Sequence, residues 1–259
     1  MKKFISFSGG VESTTMCILY GNNATAIWAD TGAEHYYMYD RIEKVENDIK
    51  KIHPNFSIVK VRGNCKYKNE NYDNLERLIV AQKYMPSGQA RFCTRIFKIE
   101  PIDNYLSKQG ECELMIGLNA DEENSREGNW GLKENVKYTY PLIEDGLTRQ
   151  DCEDILNKYN LHPQMPVYMS RGGCRMCFFK SEKEYRAMYH LAKDEFLDIM
   201  KFEEEIQDKR KKFYSIMGNG KSLRQIMLEQ EHQTLPFEDI REMYKLLKKE
   251  TSCGAFCHR

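Results

Sequence analysis

Residues 1–14 read Met-Lys-Lys-Phe-Ile-Ser-Phe-Ser-Gly-Gly-Val-Glu-Ser-Thr, and Thr15 to Tyr20 continue as a helix-like stretch. The short apolar run of Phe4, Ile5 and Phe7 predicts a strand that breaks at Ser8-Gly9-Gly10 into a helix N-terminus. Glycines let the backbone approach an anion closely, because no Cβ intervenes. The first amides of a helix have no intrahelical acceptor and carry the positive end of its dipole. Strand, glycine turn and helix together form a phosphate cradle. Taken alone, Ser-Gly-Gly is also an ordinary turn, with hydroxyls that cap the helix. No Gly-Lys-Ser/Thr follows, so no lysine reaches outer phosphates from this loop, unlike a Walker A segment.

Working outward, strand-like and helix-like runs alternate. Thr25 to Ala29 predicts a second strand ending in Asp30-Thr31-Gly32, and Ser57 to Val61 a third. Leu114 to Leu118 predicts another, ending in Asn119-Ala120-Asp121. Between them Arg41–Lys51, Asn74–Lys83 and Ile96–Leu106 have helical spacing, with Ile42, Val45 and Ile49 on one face. This alternation predicts an α/β fold with a parallel sheet covered on both faces. Ligands of such sheets bind at the carboxyl ends of the strands, where Ser8, Asp30 and Asn119 fall. The second half is more charged. Glu182 to Lys212 predicts a helix with Tyr185, Met188, Phe196, Ile199 and Met200 facing inward, followed by helices at Ser222–Glu229 and Glu238–Lys249. We therefore divide the chain into a nucleotide-binding domain, residues 1–172, and a cysteine-bearing helical region, residues 173–259, packed on it.

The 259 residues carry 39 basic and 39 acidic side chains, for a formal net charge of zero. That balance disfavours a generic polyanion binder, although a nucleic-acid substrate held on a local basic patch stays open. No apolar run approaches membrane-spanning length and the N-terminus has no signal-peptide apolar region, so the expectation is a cytoplasmic protein without membrane contact. Reduced thiols are the norm there. The nine cysteines then point to metal or redox work more than to disulfides. Cys174 and Cys177 form Cys-x-x-Cys on a glycine turn, Cys253 and Cys257 lie in the tail, and Cys93 stands alone in Arg91-Phe-Cys-Thr-Arg95. Zinc, an iron–sulfur cluster, a redox pair and two buried thiols all suit this spacing. Cys17, Cys65, Cys112 and Cys152 lie in helical or strand runs and read as packing residues.

In series, these segments resemble a known family. Ser8-Gly9-Gly10-Val11-Glu12-Ser13 is similar to the SGGxDS loop of the PP-loop ATP pyrophosphatases. Ala29-Asp30-Thr31-Gly32-Ala33-Glu34 resembles the DTGxE signature of the phosphoadenosine phosphosulfate (PAPS) reductase branch. Arg91 to Pro101 resembles that branch's cysteine–lysine–proline segment, Gly117 to Arg126 its GxRxxES-x-x-R segment, Pro141-Leu142 with Thr148 to Ile155 its helix entry, and Gly173 to Cys177 its GCxxC. DNA phosphorothioation sulfurtransferases of the same superfamily are similar too.

The resemblance implies a Rossmann-like parallel sheet of adenine nucleotide α-hydrolase type with a C-terminal helical appendage. It implies an adenylyl nucleotide, with Ser8, Gly9, Gly10, Glu12 and Ser13 around phosphates and Mg²⁺, and with Asp30, Thr31, Arg95 and Asn119 completing the nucleotide site. Glu12, Lys98, Arg126 and Cys253 are its implied catalytic residues. Cys93, Cys174, Cys177 and Cys257 are the implied ligands of a [4Fe-4S] cluster, or of Zn²⁺. Two departures stand out: Glu12 replaces the usual aspartate, and Thr94 takes the place of a second cysteine beside Cys93. The favoured activity is ATP-dependent, pyrophosphate-releasing sulfur transfer, with a cysteine desulfurase as sulfur donor. The alternatives are a PAPS or adenylyl sulfate reductase, with Cys253 as nucleophile and thioredoxin as partner, and a non-catalytic nucleotide- or zinc-binding protein. A homodimer is compatible with any of them.

Overall fold

The computed structural model describes residues 1–122 and 133–231. Five parallel strands make the central sheet: β1 (Lys2–Ser6), β2 (Ala24–Asp30), β3 (Ile58–Arg62), and two we number β6 (Cys112–Met115) and β7 (Val136–Thr139), because the hairpin β4 (Cys65–Tyr67) and β5 (Glu70–Tyr72) intervenes. Their order is β3-β2-β1-β6-β7. The direction of winding therefore reverses between β1 and β6, and a crevice opens beyond their carboxyl ends. The α/β class and parallel sheet expected from the sequence are those observed.

Successive strand residues face opposite sides. Ile5, Ala26 and Trp28 join one apolar cluster, while Phe4, Ile27 and Ala29 join the other. The second cluster is closed by α5 (Glu100–Leu106), through Ile102 and Leu106. The first is covered by α1 (Val11–Tyr20) and α2 (Tyr36–Ile52), and it extends into α8 (Glu182–Leu191), α9 (Lys193–Arg210) and α10 (Leu223–Gln230). Tyr185, Met188, Phe196, Ile199 and Met200 are all buried there. The C-terminal helices thus share one core with the sheet. The remaining helices are α3 (Leu75–Gln82), the short α4 (Phe92–Thr94) and α6 (Pro141–Glu144), and α7 (Arg149–Lys158).

Three local expectations change. Residues 182–212 form two helices, because Ala192 (φ −149°, ψ 59°) leaves the helical region and restarts the chain with Asp194 and Glu195 at a fresh, electropositive N-terminus. Apolar periodicity resumes beyond the break, so a pattern count reads through it. Arg95–Ile99 is a π-helical turn ahead of α5 rather than regular helix, a form that recurs at functional sites. The strand expected at 114–118 runs from Cys112 to Met115, since the Leu118 amide already turns back to the Ile116 carbonyl at 3.0 Å. The helix expected at 238–249 lies outside the described residues. No helix among the described residues is long and apolar enough to cross a membrane.

Candidate nucleotide and thiol site

The glycine loop leads directly from β1 into α1. Gly9 sits at φ +76°, a conformation costly for residues with a Cβ, and Gly10 caps the helix in an extended conformation. The hydroxyls are spent inside the loop. Ser13 Oγ accepts from the Ser8 amide at 3.2 Å, and Thr14 Oγ1 donates to the Gly10 carbonyl at 2.7 Å. Beneath it lies Arg41, 5% exposed, whose Nε donates to the Gly9 carbonyl at 3.3 Å and whose Nη2 donates to Thr14 Oγ1 at 3.1 Å. Burial lowers the Arg41 pKa to about 10, so it stays cationic at neutral pH. A fixed positive charge under a glycine loop makes the loop more attractive to anions.

At the crevice between β1 and β6 three side chains meet. Glu12 Oε1 accepts from Asn119 Nδ2 at 3.1 Å and from Arg149 Nη1 at 2.6 Å. Arg149 opens α7 and also donates through Nε to Glu153 at 2.8 Å. Its backbone amide donates to Asp121 Oδ2 at 2.9 Å. Burial depresses the guanidinium pKa, but Glu12 and Glu153 outweigh that and raise it.

The end of β2 is organised by Asp30, which has no exposed surface. It accepts from the Gly32 amide at 2.8 Å and the Tyr39 hydroxyl at 3.0 Å, and it pairs with Lys60 at 2.7 Å and Arg62 at 2.5 Å. Burial pushes this carboxyl upward, yet Arg62, Lys60, the Gly32 amide and Tyr39 together hold it below the usual carboxylate range. Asp30 thereby fixes the turn that carries Thr31, whose Oγ1 donates to Glu34 Oε1 at 2.9 Å and lies 3.4 Å from Cys174 Sγ.

The cysteine segment is stitched to that turn. The His35 amide donates to the Gly173 carbonyl and the Arg175 amide to the Ala33 carbonyl, both at 3.0 Å. Arg175 also reaches Glu76 on α3 and Asp198 on α9. Behind it, the buried His35 lies 2.8 Å from Glu195, to which the Tyr168 hydroxyl donates at 2.6 Å. Glu184 accepts from the Ser170 amide at 2.9 Å, pinning the segment's start. Burial pushes the Cys174 thiol well up, Glu34 adds to this, and Lys98 opposes it. Cys93 is likewise raised by burial and opposed first by Lys98. Lys98, presented by the π-helical turn, is therefore the cation shared by both thiols. The Cys177 amide donates to the Cys174 carbonyl at 3.2 Å. These sulfurs are the right donors for zinc or an iron–sulfur cluster. As placed, however, they do not close around an ion: among the described residues no three His, Cys, Asp or Glu side chains could hold one. Cys17, Cys112 and Cys152 are buried, and burial raises the Cys152 thiol to about 11.

One side chain joins the two halves of the site. A Cβ on Gly9 would lie 2.9 Å from Met38 Cε, and a Cβ on Gly172 would lie 2.9 Å from Met38 Sδ. The glycine loop and the cysteine segment thus both pack against the thioether end of one side chain. Of the other expected residues, Arg95 is largely exposed and bonded to Glu100 at 3.0 Å. Arg126, Cys253 and Cys257 lie outside the described residues. Sequence reasoning passed over Arg41, Met38 and Arg149. Arg149 directly follows Thr148, the capping residue of α7. A cation at the first position of a helix opposes the dipole, and that was the available signal.

A family model described as the phosphoadenosine phosphosulfate reductase domain matches residues 2–142, more than half of the chain. The chain belongs to that family. The matched span of this PAPS reductase-domain protein includes the glycine loop, the Asp30 turn, Cys93, Lys98 and Asn119, and stops before Arg149 and the Cys174–Cys177 pair. The chain is also similar to an uncharacterized protein of Methanocaldococcus jannaschii, at 24% identity over 207 residues, which cover 76% of this chain and 47% of that protein. It therefore spans about half the length of the curated relative it matches.

Proposed function

We propose that this chain binds an adenylyl nucleotide at the Ser8–Ser13 loop and carries out ATP-dependent sulfur transfer. In this reading ATP adenylates an oxygen of the acceptor and releases pyrophosphate; a sulfur nucleophile then displaces AMP, which leaves with that oxygen. The observation that carries the reading is Met38, packed between Gly9 and Gly172: the loop suited to phosphates and the segment bearing Cys174 and Cys177 are one methionine side chain apart. Lys98, whose charge opposes the upward shift of the Cys93 and Cys174 thiols, suits negative charge that develops beside them, because a fixed cation stabilises it without reorganisation. In this reading Glu12 would hold a phosphate-bound Mg²⁺ through the carboxylate oxygen to which Arg149 and Asn119 do not bond. A cysteine-ligated cluster or zinc would require Cys257 beside Cys93, Cys174 and Cys177, and no step is routed through it. A cysteine desulfurase would supply the sulfur as a persulfide, whose terminal sulfur displaces AMP, and an external thiol would reduce the disulfide so formed; the acceptor, a nucleic acid among the candidates, comes from outside the chain.

A second reading is favoured by the description of the matched family: sulfonucleotide reduction, with Cys253 attacking the sulfate sulfur and thioredoxin completing the cycle. The experiment that separates them is calorimetric titration with ATP, adenylyl sulfate and PAPS, with and without Mg²⁺, followed by product analysis. Sulfur transfer expects Mg²⁺-dependent ATP binding and pyrophosphate release once an acceptor and sulfur donor are added. Reduction expects tight sulfonucleotide binding and sulfite release with thioredoxin. A chain that binds none of the three nucleotides contradicts both readings.

A further inference from the structure

Arg149 makes three anchoring bonds at the mouth of the phosphate loop, to Glu12, Glu153 and Asp121. Its partner Glu12 lies in the first turn of α1, two residues beyond the Gly10 cap. Both bonds to Glu12 land on Oε1, from Arg149 and Asn119, and Oε2 makes none among the described residues. The side chains are 31% exposed for Arg149 and 14% for Glu12, so the pair stands at the surface of the crevice rather than sealed beneath it. Asn119, 2% exposed, donates its side-chain amide to this cluster, and its Oδ1 is buried without a hydrogen-bond partner among the described residues.

We propose that Arg149 is the positioning residue of the phosphate loop: it clamps Glu12 by one oxygen and neutralises it, which is what lets the loop accept an anionic phosphate chain beside a carboxylate. The clamp rests on the phosphate-binding reading of the loop. Its charge logic has a definite sign. Without Arg149 the Glu12 carboxylate stands uncompensated and repels phosphate. Without the Glu12 charge, Arg149 is released to donate to phosphate oxygens, in the bidentate manner guanidinium favours. The bond from the residue-149 backbone amide to Asp121 survives in either case, whereas Glu153, held by Nε, keeps part of the guanidinium's charge engaged while Arg149 is present and so moderates the gain when the Glu12 charge is removed.

The test uses the full chain and inorganic pyrophosphate without metal as the probe, with ATP titrated in parallel both with and without Mg²⁺. Arg149→Gln is expected to weaken pyrophosphate binding about tenfold, and Glu12→Gln to strengthen it by a similar factor. The double variant should return close to wild type, and Arg149→Lys should recover part of the loss. Melting temperatures identify any variant that fails to fold, in which case the lysine variant carries the comparison. Equal shifts of the same sign in Arg149→Gln and Glu12→Gln, or no shift in either, overturn the clamp. Pyrophosphate behaving as described while ATP does not bind upholds the clamp and removes the adenylyl reading. Binding of neither probe by the wild-type chain removes both.

Discussion

Replacing Asp30 with Asn tests the idea that one buried carboxylate sets the geometry between nucleotide loop and thiols. Asp30 accepts two neutral donors, the Gly32 amide and the Tyr39 hydroxyl, and pairs with two cations. The cations are 47% exposed for Lys60 and 41% for Arg62, so solvent screening limits each pair to about 0.5–1 kcal/mol. The two neutral hydrogen bonds contribute about 1 kcal/mol each. Asparagine keeps one acceptor oxygen and turns a donor toward the remaining partners. The expected loss at pH 7 is therefore about 2–3 kcal/mol, or about 5–10 °C in Tm for a chain of this size. The pH dependence has a fixed sign. The folded-state carboxyl is held below the usual range, so its contribution is present at neutral pH and is lost as pH falls through that depressed value. Thermal melts of wild type and Asp30→Asn across an acidic series should show the gap narrowing on acidification. Alkylation of Cys174 should also accelerate in the variant, because the turn holding Thr31 against its sulfur loosens. A variant melting within about 1 °C of wild type at pH 7, or a gap that widens as pH falls, refutes the argument.

Two other outcomes follow from the geometry. Gly9→Ala places a side chain at φ +76° and a Cβ 2.9 Å from Met38 Cε; it should cost about 1–2 kcal/mol in a urea melt and reduce nucleotide affinity in calorimetry, and unchanged affinity would argue against the loop as the phosphate site. Glu203 is fully buried and accepts the Ile216 and Leu223 amides at 2.9 and 2.7 Å, and burial, opposed by those two bonds, pushes its carboxyl up to about 7. A raised acid contributes stability that is present at low pH and lost as pH rises through about 7, so Tm should decline across that window in wild type and stay flat in Glu203→Gln; parallel profiles would contradict it.

Much of this architecture is legible in one dimension because its causes are local. Phe4 and Ile5 alternate to opposite faces of the sheet, as a strand requires. Gly9 and Gly10 mark a turn that other residues enter at a cost, and the alternation of strands with helices prescribes parallel pairing. The break at Ala192 and the π-helical turn at Arg95–Ile99 were not legible. Each shifts the helical register by a residue or so, and an apolar period tolerates that.

By itself the sequence determined the α/β class, the glycine loop at a strand end, the Asp30 turn and the identity of the thiols, since these depend on backbone preference and residue chemistry. Only the tertiary structure decided who their partners are. Asp30 meets Lys60 and Arg62 because β2 pairs with β3. Glu12 meets Arg149 from a helix 137 residues away because winding reverses between β1 and β6 and α7 packs beside α1. Met38 packs against both the glycine loop and the cysteine segment because α2 lies across both. Such contacts follow from the packing of elements distant along the chain, and no local pattern encodes the distance at which two side chains finally meet.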